Sequence, residues 1–218
     1  MKAKQTMKPP LIVLMAAGQS RRFNGVKLAQ GIDDIGTPLL LDSYRKLKFF
    51  SDELGAELVV ILGAHADLLS SVLPGDAKLV YNSQWQLGMS TSVKAAVDYA
   101  QEQRAESLMI SLADQVALQP EHFHSLIKAR RQVDTRVCGF YLGSLSVPAI
   151  FHRDDYPKLL KLSGDRGAKP VLNDLFNHGN MVAVEMESAS FDIDTRDELH
   201  DWLTACPSKN VPTKANSK

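Results

Sequence analysis

The sequence predicts an α/β fold, a mainly parallel sheet with helices on both faces in three layers, and three observations carry that expectation. Apolar, β-branched runs alternate with stretches of helical period through the first half of the chain, as in strands joined by crossover helices. The first runs, Leu11-Ile12-Val13-Leu14-Met15 and residues 57–62 after their leading Glu57, are continuously apolar, which suits strands covered on both faces. At 218 residues and 44% hydrophobic side chains, the chain is long enough for one sizeable core.

The elements follow in order. The strand at Leu11 empties into a loop of small and basic residues, and 38–53 then places Leu40, Leu41, Tyr44, Leu47 and Phe50 near helical spacing. A strand over 57–62 ends at Gly63, a helix over 64–73 stops before Pro74-Gly75, and 78–81 reads as a third strand. A helix over 90–103, a strand over 107–112 and a helix over 120–131 opened by Pro120 continue the alternation. The second half is less regular. Strands over 136–142 and 146–151 flank a turn at Gly143-Ser144, and a loop at 163–167 precedes a helix over 170–176. A strand over 181–186, a short one over 191–193, and a final helix opened by the capping box Thr195-Arg196-Asp197-Glu198 complete the chain. Residues 10–206 read as a single domain, and the polar segments 1–9 and 207–218 as flexible tails.

Composition excludes several functions. Twenty-five basic and twenty-five acidic side chains cancel, so no global field draws in nucleic acid or an anionic membrane, and an anion site has to be local. The apolar stretch near the N-terminus runs only about seven residues before Gly18 and Arg21-Arg22, too short for a secretory signal. Cys138 and Cys206 match no metal spacing and read as free thiols suited to the cytoplasm. The six histidines form no ligand motif.

The opening loop, Ala16-Ala17-Gly18-Gln19-Ser20-Arg21-Arg22-Phe23-Asn24-Gly25-Val26-Lys27, carries the strongest chemical signal. Ala and Gly leave backbone N–H groups uncovered, while Ser20, Arg22 and Lys27 add donors, a combination that fits a polyphosphate. A plain turn with a solvated basic face fits the same residues. The loop matches neither the P-loop nor the dinucleotide fingerprint. Further along, Gly88 leaves room for a flat ring to which Ser90 or Ser92 can donate; simple capping of the helix by Ser90 or Thr91, with Trp85 in the core, fits the same residues. Asp114 stands at a strand end; Asp192 and Asp194, two apart on an extended segment, face one way.

These blocks resemble the nucleotidyltransferase signature Ala-Ala-Gly-x-Ser-x-Arg-Met/Phe-Gly-x-x-Lys, with Asn24 where the family usually has Gly. Asn82 to Ser92 resembles its Asn-x-x-Trp-x-x-Gly-Met-x-x-Ser segment. Asp114 matches its Asp-x-Pro, with Val116 for the Pro, and Asp192-Ile193-Asp194-Thr195 matches its Asp-Ile-Asp-Thr-Pro ending, with Arg196 for the Pro. Ser146-Val147-Pro148-Ala149-Ile150-Phe151 followed by Gly164-Asp165-Arg166-Gly167-Ala168-Lys169 resembles the branch that acts on the molybdenum cofactor, with Ser146 for a Gly and Lys169 for an Arg. Lys169 can still meet a phosphate as a point charge.

The chain is thus similar to molybdenum cofactor nucleotidyltransferases of the MobA/MocA type, and Met15-Ala16-Ala17-Gly18 sides with the cytidylyl branch. The resemblance implies a Rossmann-like, nucleotide-diphospho-sugar transferase type of sheet, with a nucleotide half over 10–115 and an acceptor half over 116–206. It implies CTP on Ala16, Ala17, Gly18, Ser20, Arg22, Lys27, Asn82, Gly88 and Ser92, and a molybdopterin-type phosphate acceptor on Pro148, Gly164, Asp165 and Lys169. Mg2+ falls to Asp114, Asp194 and Asp192, and catalysis to Arg22, Lys27 and Asp114. A cation that needs only one or two protein carboxylates plus phosphates suits this set. CMP would pass from CTP to the acceptor's terminal phosphate, releasing pyrophosphate, and a partner molybdoenzyme would use the product. Two other readings stay open: cytidylyl or uridylyl transfer to a sugar or polyol phosphate, and a non-catalytic carrier that delivers the cofactor to its enzyme.

Overall fold

The computed structural model describes residues 8–205, so the predicted tails lie largely, and Cys206 wholly, outside the described residues. Seven strands, β1 (Leu11–Ala16), β2 (Leu58–Leu62), β3 (Lys78–Tyr81), β4 (Ser107–Leu112), β5 (Arg136–Tyr141), β6 (Ser144–His152) and β7 (Met181–Glu185), form one sheet in the order β3-β2-β1-β4-β6-β5-β7. All neighbours pair in parallel except those of β6, which runs antiparallel to β4 and to β5. Every residue of β1 and β2 is buried, as their unbroken apolar runs require, whereas the edge strands β3 and β7 are largely open to solvent.

The helices are α1 (Leu39–Leu54), α2 (Ala66–Ser71), α3 (Met89–Glu102), α4 (Pro120–Ala129), α5 (Tyr156–Leu160), α6 (Lys169–Asn177) and α7 (Arg196–Ala205). Alternate residues of β1 feed two cores. Ile12, Leu14 and Ala16 meet Leu47 and Phe50 of α1 and Phe123 and Leu126 of α4. Leu11, Val13 and Met15 face the other way, toward Val93 and Ala96 of α3, Leu159 of α5 and Leu172 of α6. The period of two along β1 thereby produces the three layers.

Three local expectations are corrected. The turn between β5 and β6 sits one residue earlier than predicted, at Leu142 and Gly143, whose φ angles of 49° and 67° fit a tight hairpin. Residues 191–193 form no strand. Asp192 makes a single bridge to Gln115, and the Ile193 N–H donates to the Asp114 carbonyl, so this short segment is tied to the loop after β4 rather than laddered along an edge. The helix predicted over 64–73 is confined to Ala66–Ser71, because His65 turns left-handed with φ of 59° before it. The capping box at α7 forms as expected: Glu198 N–H donates to Thr195 Oγ1, and the Thr195 N–H donates back to Glu198 Oε2.

The strand order places β2 and β3 on one side of β1 and β4 on the other, so the order in which strands are added reverses between β1 and β4. Loops diverge at such a point and leave a crevice at the carboxyl ends of the strands. The opening loop leaves β1 there and Asp114 leaves β4 beside it, joined by the bond from the Ala113 N–H to the Met15 carbonyl.

Candidate active site

A cavity of about 480 Å³ opens at this crevice, within the range common for small-molecule sites. Ala16, Ala17, Gly18, Ser20, Arg22 and Lys27 line one side of it. Asp114, bonded to Lys27, lines it as well, as do Gly88, Ser92 and Asp165. Ser20 and Asn24 adopt left-handed backbone, with φ of 57° and 53°. Asn tolerates that region better than most residues, so the turn survives without the family's Gly. Among the described residues, the N–H groups of Gly18 through Arg22 find no acceptor within the protein, so they remain available to an anion.

Lys27 is the centre of the site's electrostatics. A single 3-10 turn over Lys27–Ala29 buries it to 7% exposure, and its Nζ donates to Asp114 Oδ2 at 2.8 Å and to Asp194 Oδ1 at 2.7 Å. Burial disfavours its charge, but the two carboxylates outweigh that cost and hold its pKa above the ordinary value. Arg22 pairs with the other oxygen of Asp194. Asp192 is exposed, and its carboxyl is pushed above the usual range by partial desolvation and then by the charges of Asp194 and Asp114. Three aspartates thus converge from the end of β4 and from the segment before α7.

Asp114 Oδ1 is buried and has no hydrogen-bond partner. An orphaned carboxylate oxygen beside a second aspartate is a suitable ligand for a hard divalent cation, so Asp114 and Asp194 fit the group the resemblance implies. No cluster of three or more His, Cys, Asp or Glu side chains able to hold a metal occurs among the described residues. Two carboxylates completed by phosphate oxygens and water need no such cluster.

The second side of the cavity is built around Gly88. Its φ is 106°, and a Cβ there would meet the Gly164 carbonyl carbon at 2.4 Å, so only glycine allows the 163–167 loop to lie against α3. The Ser90 N–H donates to the Gly164 carbonyl at 3.1 Å, which turns that backbone group away from any ligand. Asn82 does not line the cavity. It is buried, donating from Nδ2 to Thr91 Oγ1 and Ser92 Oγ, and so fixes the start of α3 from behind.

Pro148 is buried within β6 and Lys169 is exposed at the start of α6, and neither lines the cavity. Residues that sequence reasoning passed over, among them Gln19, Arg21, Trp85, Gln86 and Met89, do line it. Trp85 had a core reading as the alternative to a place beside the base, yet it is only partly buried. Its position in the Asn82–Ser92 block was the available signal. Gln115, overlooked because it carries no chemistry, is buried and donates to Val147, Tyr141 and Ala189, joining the loop after β4 to the second half.

Residues 12–180 match the family model described as the MobA-like NTP transferase domain. A curated relative, "Purine catabolism protein PucB" of Bacillus subtilis (strain 168), is 28% identical over 197 residues, 85% of this chain and 92% of that protein. The solved structure of a Mycobacterium tuberculosis rv0371c homolog from Mycobacterium sp. strain JC1 is 26% identical with a TM-score of 0.71, covering 89% of this chain and 95% of that one. Molybdopterin-guanine dinucleotide biosynthesis protein A from Archaeoglobus fulgidus shares the fold at 16% identity and a TM-score of 0.65, covering 89% and 97% of the two chains. No helix among the described residues is long and apolar enough to cross a membrane.

Proposed function

The chain belongs to the MobA-like NTP transferase family and is a nucleotidyltransferase, and on that premise we propose that it moves CMP from CTP to the terminal phosphate of a molybdopterin-type acceptor, releasing pyrophosphate. The observation that carries this reading is the meeting of Lys27 and Asp114, which line the cavity, with Asp194, which does not line it but holds the same ammonium, although 87 and 167 residues separate the lysine from its partners. Such a convergence of a cation and two carboxylates beside uncovered N–H groups suits a triphosphate tail with its divalent cation.

In the proposed reaction, an oxygen of the acceptor phosphate forms a bond to the α-phosphorus of CTP as the bond from that phosphorus to the bridging oxygen of pyrophosphate breaks. The attacking group is already an anion, so no protein base is required. The chain's task is to bring two polyanions together in line and to neutralise charge. The N–H groups of residues 18–22 would receive the β and γ phosphates. Arg22 and Lys27 would turn from Asp194 toward the departing pyrophosphate, where positive charge lowers the barrier. Asp114 and Asp194 would hold Mg2+, which when bound supplies charge neutralisation at the α-phosphate. Gly88 and Ser92 would face the base, and Asp165, on the loop packed against Gly88, would stand between nucleotide and acceptor.

The test is an activity matrix of CTP, GTP, ATP and UTP against molybdopterin, sugar phosphates and polyol phosphates, with and without Mg2+, reading pyrophosphate. CTP with molybdopterin should exceed every other pair and need the metal. A better rate with a sugar or polyol phosphate would move the acceptor assignment, and binding of molybdopterin without any pyrophosphate would identify a carrier.

A further inference from the structure

Two departures from the family's pattern, Asn24 for Gly and Arg196 for Pro, touch each other. Arg196 Nη2 donates to the Asn24 carbonyl at 3.2 Å, and its guanidinium carbon lies 5.3 Å from the centre of the Phe23 ring. That is a cation–π distance. Phe23 is 1% exposed, so the ring is a fixed platform rather than a mobile surface group. A Cβ at Gly25 would lie 3.3 Å from the same Nη2, so the glycine leaves the guanidinium its space.

The importance of this contact lies in what else joins the two segments. Arg22 and Lys27 tie the opening loop to Asp194, but on the functional reading both leave Asp194 for the triphosphate. Arg196 begins α7 two residues beyond Asp194, and its tie uses no group that the substrate claims. Trp202 Nε1 reaches the Ile32 carbonyl at 3.2 Å, holding the chain further along. The polar contact between the two segments that lies closest in sequence to Asp194 and can persist in the complex is therefore the one made by Arg196.

We propose that Arg196 is a positioning residue which keeps the opening loop and the Asp194 segment in register while nucleotide is bound, so that the triphosphate and Asp194 can share one divalent cation. This rests on the functional reading above. Its signature is energetic coupling: bound CTP should tighten the cation, and loss of Arg196 should weaken that coupling while leaving each partner's own site intact.

The experiment titrates Mn2+ into the full-length chain with and without saturating CTP, for wild type, Arg196→Ala and Arg196→Lys. CTP should tighten Mn2+ in the wild type, and that tightening should be about tenfold smaller in Arg196→Ala, within the usual range of coupling between sites. Arg196→Lys, which keeps a cation over Phe23, should recover most of it. Mn2+ affinity without CTP should be the same in all three proteins, because Arg196 bonds to the Asn24 carbonyl and to neither carboxylate that would hold the cation. Equal tightening in wild type and Arg196→Ala overturns the inference, as does a loss of Mn2+ affinity in Arg196→Ala without CTP. A wild type in which CTP leaves Mn2+ binding unchanged overturns the functional reading and this inference with it.

Discussion

Replacing Lys27 by Met keeps the stem that packs in the loop and removes the ammonium. The structure sets the size of the effect. Lys27 makes two charge-assisted hydrogen bonds at 2.8 and 2.7 Å, each worth about 1.5–3 kcal/mol. Their acceptors are 23% and 19% exposed, so water can recover part of that loss. The lost ammonium also no longer bears its burial cost. A net destabilisation of about 2–4 kcal/mol at neutral pH follows, below the simple sum and near the value for breaking a buried pair. Because the folded pKa of Lys27 is raised, its contribution is complete below the unfolded value of about 10.4 and is lost as pH rises through the folded one. Urea denaturation should therefore give a gap between wild type and variant that is flat from about pH 6 to 9 and closes above about pH 10.4. Pyrophosphate release should fall about 10² to 10³-fold in kcat, the range for loss of one donor to developing charge. A stability gap under about 0.5 kcal/mol, or a kcat within about twofold of wild type, would refute the assignment of Lys27 to both roles.

Other expectations follow from the same geometry. Asp192 has a raised folded pKa, so the folded chain holds its proton more tightly than the unfolded chain, and stability falls as pH rises from about 3.9 through the folded value. Asp192→Asn should consequently be more stable than wild type at pH 7 without divalent cation, with no difference below about pH 3.9; denaturant midpoints at the two pH values check this. Gly88→Ala should lose about 1–3 kcal/mol or more in urea melts and bind CTP poorly in calorimetry, since its Cβ would strike the Gly164 backbone. Asp155→Ala strands the Arg136 guanidinium, which makes two bonds to that carboxylate far from the cavity. It should cost about 3–5 kcal/mol in stability yet leave kcat of the folded protein unchanged.

The parallel half of the sheet was legible because its strands advertise themselves: Leu11–Ala16, Lys78–Tyr81 and Ser107–Leu112 are bounded by turn residues and separated by helices of clear period. The site's parts were legible from local chemistry, as small residues and cations after β1 and an aspartate after β4. Their closeness came only through the family resemblance, since local chemistry alone does not state that β1 and β4 are neighbours or that residue 194 returns to residue 27. The segment at 191–193 misled because strand propensity over three residues cannot tell a ladder from one bridge to a loop. Arg196 and Asn24 read as isolated departures for the same reason: a compensating contact across 172 residues exists only in three dimensions.

The most direct test of the central claim is the anomalous signal of Mn2+ in a crystal of this chain grown with CTP. One manganese peak should lie about 2.1 Å from carboxylate oxygens of both Asp114 and Asp194, the range for small hard cations. The triphosphate should lie on the N–H groups of residues 18–22, with the Lys27 ammonium moved onto a phosphate oxygen. Manganese elsewhere, or Lys27 still held between the two carboxylates with the triphosphate outside the loop, would contradict it.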